Sequence, residues 1–114
     1  MKVKLHIKLD GADKIDIKVS GIKKDNSYIY LENDIKVNIC YSDSDISINR
    51  ECNDYKIELK LKKNKKTTST YSVFGGSKIF KLDTECKKLK VSDNKIEVEY
   101  KIDSEKFKYV LEVI

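Results

Sequence analysis

The sequence predicts an all-β domain built as one antiparallel meander of ten or eleven short strands. Composition is the first reason: the 114 residues include no proline, no tryptophan and a single alanine, Ala12, while isoleucine, valine and tyrosine are abundant. Alanine is the best helix former, and the abundant residues are those that suit strands. The second reason is periodicity, because apolar and polar residues alternate at period two along most of the chain. The third is punctuation: turn residues recur about every 8–12 positions, and no stretch carries a helical period.

Val3, Leu5, Ile7 and Leu9 share one face of the first strand, with Lys2, Lys4, His6 and Lys8 on the other. Asp10-Gly11-Ala12-Asp13 reads as a turn, and Ile15, Ile17 and Val19 continue the pattern to Gly21, an expected bend or bulge. Lys24 to Ser27 turns into a Tyr28–Leu31 strand, and Glu32-Asn33-Asp34 turns out of it. Ile35, Val37, Ile39 and Tyr41 form the next apolar face, followed by the turn Ser42-Asp43-Ser44 and a short strand around Ile46 and Ile48. After Asn53-Asp54, Tyr55, Ile57, Leu59 and Leu61 face one way and lysine and glutamate the other.

The central unit is a hairpin within Lys65–Val91. A polar, β-prone run from Thr67 to Phe74 meets Gly75-Gly76 and restarts as Ile79–Leu82, with a further turn expected near Thr84-Glu85. A short strand at Leu89 and Val91, a turn at Ser92-Asp93-Asn94, and strands through Ile96–Ile102 and Phe107–Val113 complete the chain, with Asp103-Ser104-Glu105 between the last two. Every strand has one apolar face that needs cover, so the meander must close into a barrel or pair into a sandwich. At this length one domain, residues 1–114, holds a single core without staples.

Charge and cysteine usage bound the setting. The net charge is +5, and the excess falls in residues 58–114, densest at Lys60, Lys62, Lys63, Lys65 and Lys66. Such a cluster is either a solvated face or a patch for nucleic acid or an acidic partner. Arg50 is the only arginine, and arginine is the side chain that reads phosphates and guanines bidentately. Cys40, Cys52 and Cys86 are an odd number without metal-site spacing, which suits reduced thiols in a cytoplasmic protein. MKVKLHIKLD lacks the apolar run of a signal peptide, and no segment has the length of a transmembrane helix. No membrane role is expected.

The search for chemistry returns no catalytic constellation. His6, the only histidine, falls in phase with lysines on the outer face and has no ligand partners at metal spacing. A Cys–His pair would need one of the cysteines to meet His6 in space, and Cys40 is out of phase with the apolar face. There is no GxSxG serine motif. Asp43-x-Asp45 lacks the remaining ligands and the glycine of a calcium loop, and Gly75-Gly76 opens no helix that could cradle phosphate. Asp43, Asp45, Asp93 and Asp103 read as solvated turn residues. No enzyme activity, metal or cofactor is expected.

Tyrosines remain. Tyr41, Tyr55, Tyr100 and Tyr109, with Phe107, fall in phase with the apolar faces. Buried phenol hydroxyls need partners, so these rings either fill a packed core and reach its rim or line a small cavity with polar handles. Tyr28 and Tyr30 share the face opposite Ile29 and Leu31, and are expected to be exposed as a stacking or protein-contact platform.

The order of parts also resembles a known family. A lysine-led MKVKLHIK strand opens the chain and Tyr28-Ile29-Tyr30-Leu31 follows. Lys65-Lys66-Thr67-Thr68-Ser69-Thr70-Tyr71 then runs toward glycine, Thr84 precedes Leu89, and IEVEYKI and FKYVLEVI strands finish the chain. Together they resemble the DUF1934 (YwiB-like) family of small bacterial proteins. The resemblance implies a calycin-like, lipocalin-like β-barrel and supplies no catalytic residues; Val73 stands where its pattern would place threonine. The combined reading is a non-enzymatic cytoplasmic barrel that binds a small apolar or amphipathic ligand, or a protein partner, with Tyr41, Tyr55, Tyr100, Phe107 and Tyr109 as pocket walls. The alternative is a lysine-driven nucleic-acid or ribonucleoprotein accessory protein using Lys60, Lys62, Lys63, Lys65 and Lys66.

Overall fold

The structure is a computed structural model that describes residues 1–12 and 14–114, so Asp13 of the first expected turn lies outside it. The meander forms ten strands: β1 (Lys2–Asp10), β2 (Ile15–Lys24), β3 (Ser27–Glu32), β4 (Ile35–Tyr41), β5 (Asp45–Glu51), β6 (Tyr55–Lys62), β7 (Lys66–Val73), β8 (Lys78–Val91), β9 (Lys95–Ile102) and β10 (Glu105–Val113). Each pairs antiparallel with its sequence neighbours, and β1 pairs with β10 to close the barrel. Closure pairs the first and last strands, which a flat meander would leave as its two edges. Three of the two-residue turns are entered through a residue at positive φ: Asp25 at 52°, Asn33 at 54° and Asp103 at 54°. Aspartate and asparagine are the non-glycine residues best suited to that region, which is why the chain turns where it does.

Register carries the alternation around the barrel. Leu5 pairs with Val19 and Val113, Ile7 with Ile17 and Leu111, and Tyr109 with Val98. The inner face is therefore one continuous apolar layer. Leu5, Val37, Ile39, Val98 and Leu111 are 0% exposed. A water-sized void beside them would leave accessible area on its walls, so the middle of the barrel is filled.

Three local expectations give way to tertiary contacts. Gly21 is not a bend, since β2 runs through it to Lys24. It is there for space: a Cβ at Gly21 would lie 2.8 Å from Leu5 Cδ1 and 2.9 Å from the Ile29 carbonyl oxygen. No turn interrupts Thr84-Glu85; β8 continues across both and takes up the irregularity as a bulge between Cys86 and Lys88. Tyr28 and Tyr30 point inward rather than outward, at 1% and 2% exposure, while Leu31 is 62% exposed. Both faces of β3 are half apolar, so the pattern alone could not choose between them. Pairing decides it, because Tyr30 lies opposite Gly21 and Val37 and Tyr28 opposite Ile39, all on the inner face.

The polar run at Thr67–Thr70 has a structural role. Sheet pairing between β6 and β7 covers only Tyr55–Glu58 with Thr70–Val73. Beyond it, hydroxyls replace the missing ladder. The Lys60 N–H donates to Ser69 Oγ (3.0 Å), Ser69 and Thr84 hydroxyls meet at 3.0 Å, those of Thr84 and Thr67 meet at 2.8 Å, and Thr67 donates to the Lys60 carbonyl. One hydrogen per hydroxyl satisfies the whole ring when it runs from Ser69 to Thr84 to Thr67 to Lys60. Ser69 and Thr84 are thereby buried at little cost.

Candidate functional site

One end of the barrel carries the turns after β1, β3, β5, β7 and β9; call it the rim. The inward positions next to it hold most of the aromatic and charged inner-face residues. On β9 and β10, Tyr100 and Phe107 are register partners whose rings stack at 5.4 Å. Gly11 of the first turn lies against Phe107, where a Cβ would come within 2.3 Å of the ring. Across the rim, a second aromatic row spans three strands: Tyr55 stacks on Tyr71 at 5.8 Å, and Tyr71 meets Phe80 at 6.1 Å. Tyr55 and Tyr71 are half-buried, and Phe80 is 48% exposed.

Arg50 and Glu32 complete the set. Arg50 lies opposite Val37 and Ile57, and Glu32 opposite Ile35, so both project inward. They form a bidentate pair, Nη2 to Oε2 at 2.6 Å and Nη1 to Oε1 at 3.2 Å, with side chains 18% and 12% exposed. Burial opposes the charge on Arg50, but the hydrogen bonds and charge of Glu32 more than offset it and raise its pKa. The guanidinium also acts on four phenols, Tyr30, Tyr55, Tyr100 and Tyr109, favouring ionisation in each, although burial dominates and holds all four above the ordinary range. The Tyr30 phenol is pushed up to about 12. Below this layer the Tyr30 and Tyr109 hydroxyls share a 2.6 Å hydrogen bond.

Of the five expected wall residues, Tyr55, Tyr100, Phe107 and Tyr109 gather near the rim. Tyr41 sits toward the other end, stacked on Tyr28 at 5.7 Å, with the Lys23 ammonium 5.5 Å over the Tyr28 ring. Tyr109 is 2% exposed, so it forms the floor rather than a reachable wall. Sequence reasoning missed Arg50, Glu32, Tyr71 and Phe80 as parts of one site. The signal for Arg50 was its phase with Ile46 and Ile48; Glu32 becomes legible only once Tyr28 and Tyr30 are known to face inward.

The remaining candidates stay apart from this cluster. His6 bonds Asp16 at 2.6 Å across the outer face of β1 and β2, and that bond lowers the Asp16 pKa. Cys40 is exposed, Cys52 half-buried and Cys86 buried, with the Cys86 thiol pushed up by burial and therefore poorly nucleophilic. Lys60, Lys62, Lys63, Lys65 and Lys66 are all exposed around the β6–β7 turn, away from the rim. Asp45 lies opposite Lys62 and Glu85 opposite Lys66, placing acids among them. Among the described residues no cluster of three His, Cys, Asp or Glu side chains could hold a metal, and no helix is long and apolar enough to cross a membrane.

The chain belongs to the family described as Domain of unknown function (DUF1934), whose model matches residues 1–111. Its structure is similar to the crystal structure of ywiB protein from Bacillus subtilis, with a TM-score of 0.72 over 99% of this chain and 92% of that chain, at 17% identity. At that identity the likeness shows the fold alone. No curated protein matches the chain.

Proposed function

We propose that this member of the DUF1934 family is a non-enzymatic binding module that takes a small amphipathic molecule at the rim, on Tyr55 and Tyr71 above Arg50 and Glu32. The observation that carries the reading is the one arginine of the chain, turned into the barrel and paired with Glu32 at the end that carries the stacked Tyr55 and Tyr71. Arginine offers five donors, and the two nitrogens that bond Glu32 leave further N–H groups for a ligand's acceptor atoms. The aromatic row supplies a face for an apolar body beside that polar head, the usual division of labour in small-ligand sites. Because the core beneath is filled, the ligand lies across the rim rather than deep inside.

The test uses tyrosine emission, which reports directly because the chain has seven tyrosines and no tryptophan. An aromatic sulfonate dye titrated into the full chain is expected to change that emission saturably. Tyr71→Ser should weaken the dye, and Tyr55→Phe should lower its affinity with little loss of stability. Unaltered binding in both variants would remove the rim. A single-stranded oligonucleotide that binds instead, weakens steeply with salt and is lost with Lys60, Lys62, Lys63, Lys65 and Lys66 changed to glutamine would favour the lysine cluster.

A further inference from the structure

The strand β8 outruns its neighbour. Its pairing with β9 begins at Thr84 opposite Ile102, whereas its pairing with β7 extends to Lys78 opposite Val73. Residues 78–82 therefore have one side bonded to β7 and the other open. The phase of that open side follows from one hydrogen bond: the Asp103 N–H donates to the Asp83 carbonyl at 2.7 Å, so Asp83 faces the β9 side. Backbone groups alternate along a strand, so Lys81 and Ile79 face the same way, and their N–H and C=O groups meet no partner among the described residues. The same hairpin carries three exposed large apolar side chains, Phe74 at 45%, Ile79 at 71% and Phe80 at 48%. An unpaired apolar edge of this kind is a template for strand addition.

We infer that this edge pairs with the same edge of a second copy, making a two-fold homodimer through antiparallel β8 strands. The free groups are self-complementary. They lie on two residues either side of Phe80, so a two-fold axis at Phe80 sets Ile79 of each copy opposite Lys81 of the other and completes four backbone hydrogen bonds. Neighbouring registers do worse. An axis at Lys81 brings two lysines face to face and sets Ile79 against Asp83, whose carbonyl is already taken. An axis at Ile79 leaves Lys81 opposite Ser77, which is in the turn at φ 52°. Centred on Phe80, the two phenyl rings form a non-hydrogen-bonded pair, the closer kind of cross-strand contact. The Tyr55–Tyr71–Phe80 row of one barrel then runs on into that of its partner. Isologous pairing of this sort closes at two and does not propagate.

Sedimentation velocity of the full chain tests this. The wild type is expected to sediment as a dimer of 13.2 kDa chains, and Lys81→Pro as a folded monomer. Proline there removes an N–H that meets no partner among the described residues and blocks the edge. Phe80→Cys, with Cys40 and Cys52 changed to serine, is expected to form an intermolecular disulfide on mild oxidation, which reads the register. A wild type that stays monomeric at all concentrations overturns the inference. So does a dimer that survives Lys81→Pro with an unchanged circular dichroism spectrum, or one that Phe80→Cys fails to cross-link.

Discussion

The Tyr30 and Tyr109 hydroxyls meet at 2.6 Å across the barrel although 79 positions separate them in the chain. Each is the buried polar group that satisfies the other. Removing either hydroxyl leaves its partner unpaired, and an unsatisfied buried group costs about 1–3 kcal/mol. Tyr30→Phe and Tyr109→Phe should each destabilise by that amount, while the double change costs less than the sum. Urea denaturation of the four proteins in a double-mutant cycle checks it.

Arg50 and Glu32 form the second coupled pair. Arg50→Met strands a carboxylate that is 12% exposed, and Glu32→Leu strands the guanidinium. Breaking fully buried pairs costs about 3–5 kcal/mol. Partial exposure here reduces the expected loss to roughly 2–3 kcal/mol for each single variant. Arg50→Met with Glu32→Leu should recover most of it. Full additivity in thermal or urea melts would show that the pair is not coupled.

Alkaline pH should unfold the protein through its phenols. Burial holds the Tyr30 pKa up at about 12 and raises those of Tyr100 and Tyr109. An unfolded tyrosine releases its proton near pH 10. The folded state therefore keeps protons that the unfolded state loses, and the stabilisation is complete below about pH 10. Between about pH 10 and 12 it falls, by roughly 3 kcal/mol for Tyr30 alone. Phenolate absorbance should rise for these residues together with loss of the β-sheet dichroism. Their ionisation at lower pH in the folded protein would contradict this burial.

Glycine substitutions should separate space from conformation. Gly21 has no positive φ, yet a Cβ there meets Leu5 and the backbone of Ile29. Gly21→Ala is expected to destabilise by about 1–3 kcal/mol, as over-packing does. Gly75, also without positive φ and with nothing within 4 Å of an added Cβ, should accept alanine with a change of at most about 0.5 kcal/mol. Paired thermal melts of the two variants decide it.

Much of the fold was legible in the residues. Period-two alternation identified nearly every strand, and Asp25, Asn33 and Asp103 marked turns that they do make, because those side chains suit positive φ locally. What alternation cannot do is say which face is inside when both faces carry apolar groups. Tyr28 and Tyr30 were misplaced for that reason. Thr84-Glu85 resembled a turn by composition, yet the hydroxyl ring with Ser69 and Thr67 holds that segment in the sheet.

The sequence by itself determined the class: strands, their order, most of the turn positions and one apolar face on nearly every strand. All of these rest on chemistry within a few residues of each position. Tertiary structure alone decided which further residues join Tyr55, Tyr100, Phe107 and Tyr109 at the candidate site. Arg50, Glu32, Tyr71 and Phe80 come from four different strands, and only the registers set by closing β1 onto β10 bring their inward faces to one rim. The same closure left the end of β8 without a neighbour, because β8 is longer than β9 can cover. Strand length is local, but an unpaired edge exists only relative to the strand beside it.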